Sequence, residues 1–152
     1  MVCSRGAPTI AGSRDIRHCR NFFYVQCEPY VQVMSPEVVA KGASDCLAQS
    51  AWRIPDGSVD PIVKIYHWGD FTNGFSEAKD AGFEALILTD TGRNITEGPG
   101  FNVFAFKHGK LFTASHGVLS GITHRTVLEI ATELDLQIDI RPVPHTVFFE
   151  CG

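Results

Sequence analysis

The chain lacks several features that would place it at once. No apolar run approaches the length of a membrane span, and the start, Met1-Val2-Cys3-Ser4-Arg5-Gly6, has no apolar leader core, so neither a span nor a secretory signal is expected. Basic residues are not in excess: 13 Lys and Arg stand against 17 Asp and Glu, a formal net charge of -4. That balance argues against a surface that tracks nucleic-acid phosphates. The cluster Arg14, Arg17, His18, Arg20 is the local exception and reads as a solvated loop, with a small anionic substrate as the alternative. Cys3, Cys19, Cys27, Cys46 and Cys151 are odd in number and have no CxxC spacing, which fits reduced thiols in a cytosolic protein. A metal at His18-Cys19 or Cys151 has no paired ligand spacing behind it. Internal repeats and low-complexity segments are also missing.

What is present is the profile of a soluble globular domain, 152 residues with 44% hydrophobic and 20% charged. A domain of this size buries roughly 68–70% of its unfolded surface, enough for one sizeable core. Residues 1–20 are rich in Gly, Ser and Arg and read as a loop or linker. Phe22 to Cys27 and Tyr30 to Met34 read as strands separated by Glu28-Pro29, and Ala43 to Ile54 as a third. A short extended piece carrying Lys64 follows Asp60-Pro61, and Gly69 to Ala81 reads as a helix stopped by Gly82. Glu84 to Thr89 is a strand, and Phe101 to Lys107 pairs with Lys110 to Thr113 across His108-Gly109. Ile122, Val127, Ile130, Ala131 and Leu134 recur at helical spacing between Gly121 and Leu134, and Gln137 to Val143 alternates as a strand. Val147 to Gly152 looks like a strand cut off as it begins. The class is mixed α+β with the sheet dominant.

Three places carry chemistry. An extended Val63-Lys64-Ile65-Tyr66 would set Lys64 on the face opposite Val63 and Ile65, alongside Ile62 and Tyr66. An apolar setting disfavours the ammonium and favours the neutral amine that forms Schiff bases. Taken singly, an edge-strand lysine reaching to water is the better reading. Glu97 sits in Thr96-Glu97-Gly98-Pro99-Gly100, where glycines let the backbone approach a flat ligand. A carboxylate against a pyridine nitrogen keeps it protonated and strengthens the ring as an electron sink. Taken alone, Glu97 reads as a turn residue facing water. Gly121-Ile122-Thr123 opens the best helix, whose first N–H groups and the Thr123 hydroxyl suit a phosphate, or mark an ordinary helix start.

In combination, Lys64 within VKIYHWGD, TEGPGFN at 96–102 and GVLSGIT at 117–123 followed by His124-Arg125 closely resemble the class IV aminotransferases, fold-type IV pyridoxal phosphate enzymes. Within that family the likeness is to branched-chain, D-amino-acid and (R)-selective amine transaminases, and WGDFTNG tilts it towards the amine branch. The resemblance implies a partial large domain of the D-amino-acid aminotransferase-like fold, a sheet or pseudo-barrel with flanking helices. Residues 1–20 would be the interdomain loop and 21–152 the large, cofactor-binding domain, truncated at both ends relative to the family. It further implies pyridoxal 5'-phosphate held as an internal aldimine by Lys64, which also shuttles the catalytic proton. Glu97 would meet the pyridine nitrogen, Gly121, Ile122 and Thr123 the phosphate, Leu119 the ring face, and Phe101 and Asn102 the adjoining wall. Arg14 is the stand-in for an arginine that grips a substrate carboxylate.

The reaction so implied moves an amino group between an amino acid or amine and a 2-oxo acid or ketone, in a homodimer; composition and cysteine spacing add the expectation of a cytoplasmic protein with no nucleic-acid, membrane or metal partner. Two alternatives stay open at this point. One is a pyridoxal phosphate lyase acting on an aminodeoxychorismate-like substrate. The other is an inactive fragment that serves only as a dimerising or interaction domain.

Overall fold

The computed structural model describes residues 1–61 and 63–149. It divides into two compact units, Met1–Val33 and Met34–Gly152. In the first, β1 (Val2–Ser4) lies inside the stretch read as a loop and pairs antiparallel with β2 (Phe22–Tyr24), Val2 opposite Tyr24. Between them a single 3-10 turn at Ile16–His18 is capped by the Asp15 carboxylate, which accepts from the Arg17 N–H. The strand expected over 22–27 is confined to 22–24, and the one expected over 30–34 does not form. Pro29 removes a ladder donor, and Tyr30, Val31 and Val33 are exposed with no strand paired to them among the described residues.

The second unit opens with α1 (Pro36–Lys41), which the pattern reading passed over. Its signals are local: Ser35 Oγ accepts from the Val38 N–H, and Pro36 stands in the first turn, where its missing N–H costs nothing. β3 (Asp45–Trp52), α2 (Gly69–Asp80) and β4 (Ala85–Thr89) then form a parallel strand pair with its crossover helix. β5 (Asn94–Ile95) returns antiparallel to β4, and β11 (Val143–Pro144) adds to β5, giving the order β11-β5-β4-β3.

The chain next makes a small hairpin, β6 (Glu97–Gly98) with β7 (Phe101–Asn102). Only the latter part of the expected 101–107 strand, β8 (Phe104–Lys107), pairs with β9 (Lys110–Thr113), through the turn at His108-Gly109. A second crossover, α3 (Ile122–Glu133), leads to β10 (Gln137–Ile140), parallel to β9. At 146–149 the chain is a helical turn, α4 (Thr146–Phe149), where a strand was expected; the Phe148 N–H donates to the His145 carbonyl and closes the turn. Glu150, Cys151 and Gly152, with the readings placed on them, lie outside the described residues. No described helix is long and apolar enough to cross a membrane. The architecture is mixed α and β with sheets predominating, as the sequence led us to expect.

β4 explains how these parts cohere. Its five residues are all buried, so both faces of the strand are covered. Leu86 and Leu88 point to one side and pack with Ala48, Ala51, Phe71 and Ala78 beneath α2. Ile87 points to the other and joins Ile95 and Val143, with Phe101, Val103 and Phe112 against them. α2 sits close to the sheet because position 74 is Gly: a Cβ there would come within 3.0 Å of Leu86 and Leu88 methyls.

Two substitutions test this packing in the 152-residue chain by urea unfolding. Leu88→Ala is expected to cost about 2–5 kcal/mol, the range for a truncated core leucine. Gly74→Val, which drives a branched side chain into the same methyls, is expected to cost about 1–3 kcal/mol despite its better helix propensity.

Candidate active site

The two crossovers place their turns at one end of the parallel strands. β3 ends at Trp52 and is followed by Arg53; β9 ends at Thr113 and is followed by the 114–121 loop that leads into α3. The C-terminal ends of parallel strands are where open α/β sheets leave a crevice for ligands. Here that crevice is a cavity of about 480 Å³, a size that suits a cofactor-sized ligand.

Glu97 is the buried acid of this cavity, its side chain 8% exposed, so it is not a turn residue facing water. The hairpin that holds it is tight: a Cβ on Gly98 would lie 2.6 Å from the Leu86 carbonyl oxygen and closer still to the Phe101 ring, so only glycine fits. Glu97 Oε2 accepts from the Leu119 N–H at 2.9 Å and, more distantly, from Asn102 Nδ2 at 3.4 Å. Asn102 is itself fixed by donating to the Leu119 carbonyl at 2.9 Å. Burial pushes the Glu97 carboxyl above its ordinary value, with the Leu119 N–H, Arg53 and Lys64 acting in the opposite direction.

Arg53, which no local motif singles out, and Asp70, which lies in the WGD run but is given no role there, complete the arrangement. Arg53 Nη2 meets Glu97 Oε1 at 3.1 Å, Nη1 meets Asp70 Oδ2 at 2.6 Å, and Nε donates to the Gly117 carbonyl at 3.2 Å. The guanidinium carbon also lies 4.6 Å from the centroid of the Phe71 ring. Asp70, in the first turn of α2, accepts from the N–H groups of Ile54 (3.0 Å) and Phe71 (2.9 Å). Burial works to raise the Asp70 carboxyl, but the Ile54 N–H, Arg53 and the Phe71 N–H together hold it below its ordinary value.

Lys64 lines the same cavity, yet no described strand contains it. The Val63 N–H donates to the Asp60 carbonyl, and from there the chain runs irregularly to α2 with Lys64 solvent-exposed. The reason is local: Pro61 has no N–H to give to a ladder. Ile62, the expected same-face neighbour, lies outside the described residues.

The other residues singled out in the sequence fall as follows. Phe101, Asn102, Leu119, Gly121, Ile122 and Thr123 line the cavity with Lys64 and Glu97. α3 begins at Gly121 with no side-chain cap, so its first N–H groups, which have no intrahelical partner, are left for an outside acceptor. Arg14 belongs to the Met1–Val33 unit, where it is exposed. His124 is a further lining residue: it is buried, stacks on Phe104 with ring centroids 5.0 Å apart, and reaches Thr113 Oγ1 through Nε2 at 3.3 Å. Burial pushes its imidazole below the ordinary value, which keeps it neutral.

A buried carboxylate, an amine and an uncapped helix N-terminus around one cavity are the donor set that a phosphorylated pyridine aldehyde requires, and the residues present fit that group.

Comparison with known proteins agrees with this chemistry. The profile of the amino-transferase class IV family matches residues 19–151. The chain is 37% identical over 100 residues to a probable branched-chain-amino-acid aminotransferase of Thermotoga maritima, covering 64% of this chain and 36% of that protein. It is also 37% identical over 115 residues to the branched-chain-amino-acid aminotransferase of Escherichia coli, covering 72% of this chain and 36% of the other. Among solved structures, the branched-chain amino acid aminotransferase of Thermobaculum terrenum in its PLP (holo) form superposes with a TM-score of 0.65 at 30% identity, over 68% of this chain and 35% of that one. The chain therefore spans about a third of the length of these relatives.

The Arg53 junction makes a direct prediction about stability. Arg53→Met would leave Asp70 and Glu97 buried without their cation and is expected to cost about 3–5 kcal/mol near neutral pH. Both carboxyls would then titrate higher in the folded variant than beside Arg53, so the variant binds protons more readily when folded and regains stability as pH falls. Urea unfolding of both proteins at neutral and acid pH should show the gap narrowing on the acid side.

Proposed function

The chain belongs to the class IV aminotransferase family, and from that membership we propose that it is the pyridoxal 5'-phosphate-binding part of a transaminase. The reaction is amino-group transfer between an amino acid and a 2-oxo acid. The observation that carries this reading is the convergence of Lys64, Glu97 and the α3 N-terminus on a single cavity.

When bound, the cofactor supplies a conjugated ring that takes up the electron pair released at the substrate Cα. The chain's own residues do the rest. Lys64 holds the cofactor through its amine and then moves the proton at the substrate Cα. Glu97 accepts from the ring N–H, which keeps that nitrogen protonated. The first N–H groups of α3 and the Thr123 hydroxyl receive the phosphate, with Gly121 and Ile122 supplying the approach. Leu119 covers a ring face, while Phe101 and Asn102 form the adjoining wall and exclude water from it.

For the donor, branched-chain amino acids are the proposal, supported by the names of the relatives; the sequence feature WGDFTNG favours amines and is the competing choice. Arg14 is offered for the substrate carboxylate on its place in the N-terminal loop alone. A homodimer rests on the family resemblance, and a cytoplasmic setting on the cysteine pattern.

The test is to incubate the chain with pyridoxal 5'-phosphate, reduce with borohydride and map the labelled peptide, alongside an amino-transfer assay with leucine, valine and a panel of amines. A label on Lys64 that is lost in Lys64→Ala is the expected result; a label retained elsewhere, or turnover by Lys64→Ala, would overturn the role of the lysine. Glu97→Gln should keep the label and slow transfer by roughly 10²–10³-fold, the usual cost of one preorganised electrostatic contact.

A further inference from the structure

Resting on the reading above, the geometry points to a task for Asp70, which lines no part of the cavity but contacts the residue that contacts Glu97. A guanidinium offers five donors in a rigid planar fork, so its partners share one positive charge in fixed directions. Here each of the three nitrogens has a partner: Nε the Gly117 carbonyl, Nη1 Asp70 and Nη2 Glu97. Asp70 has the shorter contact, 2.6 Å against 3.1 Å for Glu97. All three side chains are at most 9% exposed, so water screens them poorly.

We propose that Asp70 is a positioning residue for the cofactor-facing carboxylate: it takes the closer share of the Arg53 charge and thereby leaves Glu97 basic enough to keep a proton on a ring nitrogen. A lone Arg53–Glu97 pair would be neutral, and its carboxylate would be a poor partner for a second cation. With Asp70 added the buried group carries one net negative charge, which matches the single positive charge of a protonated ring nitrogen. The Asp70 carboxylate is well suited to remain ionised in this role, because two backbone N–H groups hold it besides Arg53. The other titratable groups lining the cavity are Lys64 and His67 on the irregular segment and His124 on α3. Lys64 acts on Glu97 in the same sense as Arg53, while His124 is kept neutral by burial.

The test uses Asp70→Asn in the 152-residue chain, with the carboxyls of Glu labelled with ¹³C and the Glu97 signal assigned by its loss in Glu97→Gln. Without cofactor, Asp70→Asn is expected to lower the Glu97 titration midpoint by about one pH unit, tenfold in proton affinity, as the full Arg53 charge falls on it. An unchanged or raised midpoint overturns the proposal. Asp70→Ser should move the midpoint in the same direction, and Asp70→Glu should restore it; these two decide the matter if the Asn variant does not fold. A second arm loads the same proteins with pyridoxal 5'-phosphate carrying ¹⁵N in its ring. The ring nitrogen is expected to lose its proton at lower pH in Asp70→Asn than in the parent, and equal behaviour in the two would overturn the proposal. Failure of the parent chain to load would count against the cofactor reading, whereas the cofactor-free titration judges the coupling of Asp70 to Glu97 independently.

Discussion

The buried Arg53 guanidinium is the contact on which the second unit's arrangement depends. One side chain joins four separate pieces of chain: the end of β3, the first turn of α2, the β6 acid and the loop before α3. An isolated cation in such a place would carry a large desolvation penalty. It is tolerated because both carboxylates and a carbonyl surround it, and because Phe71 offers its ring face to the remaining surface. The same junction holds Glu97 in the cavity and so links stability to chemistry. A buried ion cluster of this kind is weak evidence of net stabilisation, but it defines one geometry sharply, since every alternative leaves a charge unpaired.

That geometry is built on two crossovers of similar design. β3-α2-β4 and β9-α3-β10 each run parallel, and a parallel pair needs a connection long enough for a helix. Consequently the groups that follow β3 and β9 emerge at strand C-terminal ends, where Arg53 and the 117–121 segment meet. β4 holds the assembly together by burying leucines on one face and Ile87 on the other. Gly98 then brings the Glu97 hairpin against the β4 backbone, so the acid is placed by a glycine's lack of a side chain.

How much of this was legible beforehand varied with the range of the interaction. α2, α3, β4 and the β8-β9 turn could be read, because their signals are periodicity and turn chemistry within a dozen residues. The short motifs around Lys64, Glu97 and Gly121 were visible for the same reason. The strand expected over 30–34 failed because β propensity needs a partner strand and none is supplied there. The helical turn at 146–149 misled through its run of apolar residues, whose periodicity is too short to separate strand from helix. α1 was missed although Ser35-Pro36 marked its start.

Sequence by itself determined the family, the apolar runs that become β4 and α3, and the identities of the acid, amine and helix start. Those are local matters, set by residue type and spacing. Only the tertiary structure decided that Glu97 is buried and that Arg53 and Asp70 govern its surroundings. Such partners lie far apart along the chain, and a charge pair of that separation has no periodicity to betray it. Its existence depends on the packing of α2 over β3 and β4, which no short stretch of sequence encodes.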